Sequence, residues 1–443
     1  MRDTMKIRSS RVGTVLGAVL WLWAATALCA GEPGAADSPA PVRWSLGDVL
    51  ATALANHPLV GQADAEVRAA GARRGQAASV TLPQASGAAS WIVSEAPSAA
   101  SGDQESTTTA TVQGALTQLI TDFGRTGASV ASAGQLAEAA RESALSSRID
   151  VVYGANLTYF NVLRAESVVR VRGETMRQRE SLLQQAQAFF EAGVRARIDV
   201  VRAEANLYQA RADASSAGHE LRTARLLLLN RMGVDGPEDF VLEGVPAVIE
   251  AAGTLEDWQR EADEKHPDLL ALRLQLAAAR SARDAAARGD YPVISASGRL
   301  GWAGDDLPSD RNWALGAHLT LPIFNGHLTR EQTAEAEANV AAAEFALADR
   351  RRQIRLLVEQ ADQAMREALE REAAREKERE AFAENLRLAT GRYEAGAGDI
   401  IEMIDAQVQM AAADTAHVQA RFDRATALAT LYRALGRLPL ESR

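Results

Sequence analysis

The sequence predicts a mostly helical fold with a minor β component, made of long antiparallel helical hairpins and built twice over. Three observations carry that expectation. Matching residues recur at a nearly constant offset between the two halves of the 443-residue chain. Residues 125–192 and 327–394 each run without a proline. Ahead of each run, apolar and polar residues alternate with period two, the signature of strands rather than helices.

The repeat is read from particular residues. His57-Pro58 recurs as His266-Pro267, and Leu82-Pro83 as Tyr291-Pro292, both at an offset of 209, with Ser86 matching Ser295. Residues 119–124 align with 321–326 at 202, so the first strand pair is seven residues longer. Glu191-Ala192-Gly193 then matches Glu394-Ala395-Gly396 at 203, and Ile198, Ala203, Ala210 and Gly233 match Ile401, Ala406, Ala413 and Gly436 at the same offset. The expected organisation is a signal at 1–30, a leader at 31–43, repeats at 44–235 and 254–437, a linker at 236–253 and a tail at 438–443.

Taken in order, the chain opens with Arg2, Lys6, Arg8 and Arg11, followed by an uncharged apolar run at 12–28. That pattern is an export signal, too short for a membrane span of about 20 residues. Leu28 stands where a lipoprotein signal wants a small residue, which disfavours lipidation of Cys29. Residues 45–79 and 255–289 have helical periodicity, with Pro58 and Pro267 marking a kink or a late helix start. In 293–303 and 312–321, Ile294, Ala296, Leu300, Trp302, Trp313, Leu315 and Leu319 alternate with small, polar or charged residues. The loops at 95–106 and 303–311 are read as solvated.

Each proline-free run would make a helix about 100 Å long. Ile354, Val358, Ala361, Met365 and Leu369 step by four, three, four and four, the seam of a coiled coil, and Leu145, Ile149 and Val152 do the same. Gly193 and Gly396 stop these helices, and partner helices start near 198 and 400, closing two antiparallel hairpins. Two strands per half make four per chain. A transmembrane barrel needs at least about eight, so if these strands enter a membrane, chains must share a barrel.

Composition excludes other classes. Acidic residues exceed basic ones, 58 to 48, for a net charge of −10; removal of 1–30 takes it to −13. Such a balance argues against a phosphate-binding nucleic-acid partner. One cysteine leaves no disulfide framework, and no GxSxG, HExxH or P-loop sequence occurs. No catalysis, metal or cofactor is expected. A soluble periplasmic coiled-coil adaptor or scaffold would explain the signal and helices, but not the symmetrically placed strands.

The two-fold repeat, the Leu82-Pro83 and Tyr291-Pro292 strand starts, the Phe324-Asn325-Gly326 turn and the Glu-Ala-Gly tips, in this order over 44–437, resemble the TolC-type outer-membrane efflux proteins. The resemblance implies a homotrimer sharing one twelve-stranded barrel in the outer membrane of a Gram-negative bacterium, with the helices as a coiled-coil α-barrel reaching into the periplasm. It implies the exit duct of a tripartite efflux pump or type I secretion system, docked to a periplasmic adaptor and an inner-membrane transporter. The sequence does not specify the cargo.

The resemblance also assigns residues. Glu402 and Asp405 match acidic rings at the periplasmic entrance, and their spacing puts both on one helix face. Tyr393 and Asp199 match an entrance latch. Gly398 stands where the family carries a tip arginine, leaving Arg392 or Arg197 as replacements. Gly193 and Gly396 match adaptor-docking tips, although Val194 and Ala397 beside them are less characteristic. Simpler roles compete: Glu402 and Asp405 as solvated helix-start carboxylates, Tyr393 as tip packing, His57 and His266 as helix-boundary residues.

Overall fold

The computed structural model describes residues 42–97, 104–237, 239–244, 253–305 and 307–438. The export signal, Cys29, most of the leader and residues 439–443 of the tail lie outside them. In chain order the elements are β1 (Val42–Trp44), α1 (Leu46–Asn56), α2 (Pro58–Ser79), β2 (Gln84–Pro97), β3 (Gln104–Thr121), α3 (Arg125–Glu191) and α4 (Arg197–Met232). The second half follows as β4 (Phe240–Leu242), α5 (Leu255–Lys265), α6 (Pro267–Ala287), β5 (Val293–Gly304), β6 (Asp310–Thr320), α7 (Leu328–Glu394) and α8 (Ile400–Leu435).

Pro58 and Pro267 do not kink one helix; they begin new ones. Each is the first helical residue, where its missing N–H costs nothing. The histidine before it is extended, and its Nδ1 accepts from the backbone N–H of Leu59 or Asp268, at 3.2 Å in each case. His57 and His266 are therefore helix caps. The helix returning from each tip ends against them. Gly233, at φ 68°, would place a Cβ 2.7 Å from the Asn56 carbonyl oxygen; Gly436, at φ 70°, would place one 2.6 Å from Pro267 Cδ. Only glycine fits both the left-handed backbone and the contact. Thus α4 and α2 meet end to end beside the 67-residue α3, and α8 and α6 beside the 67-residue α7.

The expected seam is buried: Ile354, Val358, Ala361 and Met365 pack on Leu431, Leu435 and Leu269. In the first half Val152 and Ile149 are buried, Val152 in a cluster with Tyr159, Leu228 and Met232. Burying each such aliphatic side chain stabilises by about 1.5–3 kcal/mol, and shared helix surfaces make the stabilisation continuous along the hairpins. Two elements depart from expectation. β1, at the boundary of the expected leader, and β4, in the expected linker, pair in parallel, with Trp44 stacked on Phe240 at 5.1 Å between centroids. Three residues are too few to show a period.

The two hairpins are joined along α3 and α8 by a ladder of polar links. Arg433 pairs with Asp150 at 2.7 Å and lies over the Tyr153 ring. Further toward the tips, Arg164 donates to Gln419 at 2.8 Å, and the buried Arg179 donates to Gln407 at 2.7 Å.

The four long strands form one antiparallel sheet in the order β2-β3-β5-β6. The β2–β3 pair runs further than expected, to Pro97 and from Gln104, because Thr107, Thr108 and Thr109 favour extended backbone and pair with Ser94, Val93 and Ile92. Register separates two faces. Trp91, Val112, Leu300, Trp302, Trp313, Leu315 and Leu319 share one face, with Trp313 70% and Leu315 80% exposed. Ser86, Ser90, Gln113, Ser297, Arg299, Asn312 and His318 share the other. The three tryptophans fall within a few residues of one level, although Trp91 is mid-strand because β2 is longer. Among the described residues no helix is long and apolar enough to cross a membrane.

The histidine caps predict acid sensitivity. Burial holds His266 below its ordinary 6.5, opposed by Asp268 and Asp150 and assisted by Arg350. The neutral ring caps α6, so the folded state resists protonation. This contribution is complete above pH 6.5 and is lost as pH falls through the depressed folded value. Thermal unfolding in detergent, followed by circular dichroism, should show a lower Tm at pH 5 than at pH 8. His266→Asn, which keeps an acceptor, should narrow that difference; an unchanged difference rules out the cap as its source.

Candidate functional site at the hairpin tips

The tips are built by the same backbone device twice. At α3, Gly193 N donates to Phe190 O at 3.0 Å and Val194 N to Phe189 O at 2.9 Å; at α7, Gly396 N donates to Tyr393 O at 3.1 Å and Ala397 N to Arg392 O at 2.9 Å. Both glycines sit at φ 72°. This satisfies the last carbonyls of each long helix and turns the chain sharply. Gly193, Val194, Gly396 and Ala397 are exposed.

Sequence-equivalent positions have different environments. Tyr393 is 1% exposed, whereas its counterpart Phe190 is 44% exposed. Asp199 is buried, whereas its counterpart Glu402 is exposed. Tyr393 packs with Leu182, Ala186, Ala203, Ile400 and Met403, edge-on to Phe189 at 5.9 Å. Its hydroxyl is buried without a hydrogen-bond partner among the described residues. Asp199 is near enough to raise the phenol's pKa, after burial the largest cause, while Arg195 opposes and Asp399 adds. The two side chains expected to latch are therefore neighbours, with no hydrogen bond between them.

Arg195 bridges the tips. Its Nη2 donates to the Gly398 carbonyl at 2.8 Å, and its guanidinium carbon lies 5.3 Å from the centre of the Tyr393 ring. A side chain at Gly398 would be tight, since a Cβ would lie 3.0 Å from Arg392 Cβ and 3.1 Å from Tyr393 N. Neither candidate replacement supplies this link: Arg392 instead pairs with Glu402 at 3.3 Å, and Arg197 begins α4 on the exposed side. Sequence reading missed Arg195, though a signal was present. The repeat offset of 203 maps it onto Gly398, so at this matched position one hairpin carries an arginine and the other a glycine.

Glu402 and Asp405 share an exposed face of α8. Asp405 accepts from Gln409 Nε2 at 2.6 Å, and Glu402 is partly balanced by Arg392. Behind them Arg179 is buried between α3 and α8, bonded to Gln407 and 3.5 Å from the Ile404 carbonyl, and burial lowers its pKa. It holds the turn of α8 that presents Asp405. Only three-dimensional packing identifies it.

Residues 49–234 and 258–437 match the family model described as outer membrane efflux protein. The chain is 29% identical to the outer membrane protein OprJ of Pseudomonas aeruginosa over 71% of this chain and 67% of that one. It is 28% identical to the protein CyaE of Bordetella pertussis over 71% and 68%. A crystallised membrane protein of Pseudomonas aeruginosa superposes with a TM-score of 0.82 at 25% identity, over 91% of this chain and 92% of that one.

The Arg195 bridge predicts local stability at the tips. Arg195→Ala should speed amide exchange across 392–404 by about tenfold, equivalent to ~1.4 kcal/mol for a charge-assisted link. Gly398→Arg should also speed it, because the new Cβ would press on Arg392 and the Tyr393 backbone, which must shift to admit it. Protection equal to wild type in Arg195→Ala, read by hydrogen–deuterium exchange mass spectrometry, excludes the bridge as a stabilising contact.

Proposed function

Since the chain belongs to the outer membrane efflux protein family, and is an outer-membrane channel of an efflux or secretion system, we propose that it works as a passive homotrimeric exit duct. The observation that carries this reading is the four-stranded sheet with an exposed apolar face and two open edges, β2 and β6. In a bilayer, unpaired backbone groups on those edges cost several kcal/mol each. Three copies related by rotation would pair each β6 with the next β2 and close twelve strands. Trp91, Trp302 and Trp313 then sit at one lipid–water interface. A duct of this kind performs no chemistry of its own.

The two repeats, 44–235 and 254–437, each contribute one strand pair and one hairpin. The tips at Gly193 and Gly396 are the surfaces offered to a periplasmic adaptor, which links the duct to an inner-membrane transporter. Tyr393, Asp199 and Arg195 hold the resting closure. Glu402 and Asp405, repeated three times, form carboxylate rings that favour cations at the periplasmic entrance.

Native mass measurement of the detergent-extracted protein should give three chains, and the same sample should conduct in a planar bilayer. A monomer recovered quantitatively by osmotic shock would falsify the duct. In bilayers, replacing Glu402 and Asp405 by alanine should lower cation selectivity, with an unchanged reversal potential counting against the rings. Tyr393→Phe combined with Asp199→Ala should raise resting conductance; a double variant as closed as wild type removes the latch.

A further inference from the structure

The sheet's polar face carries one charged side chain at mid-strand. Arg299 on β5 lies level with Ala314 on β6 and Ala115 on β3, and Ala115 lies level with Ser86 on β2. These neighbours are small, and the Arg299 side chain is exposed. No ion pair to Arg299 occurs among the described residues. The nearest carboxylate on this face is Asp310, which pairs with Ala303 at the loop end of the strands, four residues away or about 13 Å. Toward the helices, His318 lies level with Ser295, again four residues away, and is bonded to Ser297 at 2.8 Å.

The opposite face holds Trp302, Trp313, Leu315 and Leu319, so it must take the lipid. That orients Arg299 toward the lumen. We propose that Arg299 is a specificity-determining residue of the duct, an anion-contact station inside the strand region that draws carboxylate- or phosphate-bearing solutes past it. This inference rests on the trimeric duct. Three copies place three guanidinium groups at one level, each surrounded by small side chains rather than by compensating acids. Asp310 stands about 13 Å away along the strand backbone and makes no ion pair with Arg299 among the described residues, so the guanidinium is left without a carboxylate partner on this face. The fork of donors on arginine suits carboxylate and phosphate oxygens.

The station also opposes the carboxylate rings at the far end of the duct, so its effect is separable from theirs. The test is the reversal potential of the purified trimer in a planar bilayer under a potassium chloride gradient. Arg299→Ala should raise the permeability ratio of potassium to chloride at least twofold, Arg299→Glu should raise it further, and Arg299→Lys should retain the wild-type ratio. The Arg299→Ala shift should persist when Glu402 and Asp405 are also replaced by alanine. Reversal potentials equal to wild type in conducting Arg299→Ala and Arg299→Glu trimers overturn the station while leaving the duct intact. A wild-type protein that does not conduct overturns the duct, and the station with it.

Discussion

A sheet of four strands has two edges, and this constraint governs the rest of the molecule. The exposed leucines and tryptophans on one face of β2, β3, β5 and β6 are unfavourable in water, and the open edges are unfavourable in lipid. Neither difficulty can be relieved within one chain. The proposed rotational assembly would relieve both, by closing the edges and giving the apolar face a continuous lipid surface. The helices follow from the same requirement. Each strand pair passes directly into a long helix, so the arrangement that closes the strands also fixes how the helices gather beneath them.

Within one chain the two halves are alike in backbone and different in chemistry. Their tips use the same glycine turn, but the second half buries Tyr393 where the first exposes Phe190, and the first buries Asp199 where the second exposes Glu402. Arg195 reaches across to the backbone of its own counterpart, Gly398. Duplication supplied a symmetrical frame. Divergence at a few positions then gave the second hairpin both a buried tyrosine and an exposed acidic face, and the first a buried aspartate and the bridging arginine. The arginine ladder along α3 and α8 binds these unequal partners together.

Features that depend on neighbouring residues were legible in the sequence. Proline marks the start of α2 and α6, glycine the end of α3 and α7, and period two the sheet faces. The coiled-coil seam at Ile354, Val358, Ala361 and Met365 was equally plain. Features that depend on what arrives from elsewhere in the chain were not. β1 and β4 are each defined only by the other. Asp199 and Glu402 are both first-turn acids, and only the folded chain buries one and leaves the other exposed. Arg179 looks like any solvated helix arginine until Gln407 closes over it.

The long helices agree in length to the residue. α3 and α7 each have 67 residues, and α4 and α8 each have 36, although the strand pairs above them differ. One inserted residue would lengthen a helix by about 1.5 Å and turn everything beyond it by about 100°. That would carry a tip off its common plane and rotate its buried face outward. A strand loop can take up extra residues in solvent, but a helix that must meet its neighbours at both ends cannot. The duplicated chain therefore behaves as a pair of matched gauges. Substitutions can accumulate along it freely, while insertions and deletions in the helices are tolerated only in compensating sets.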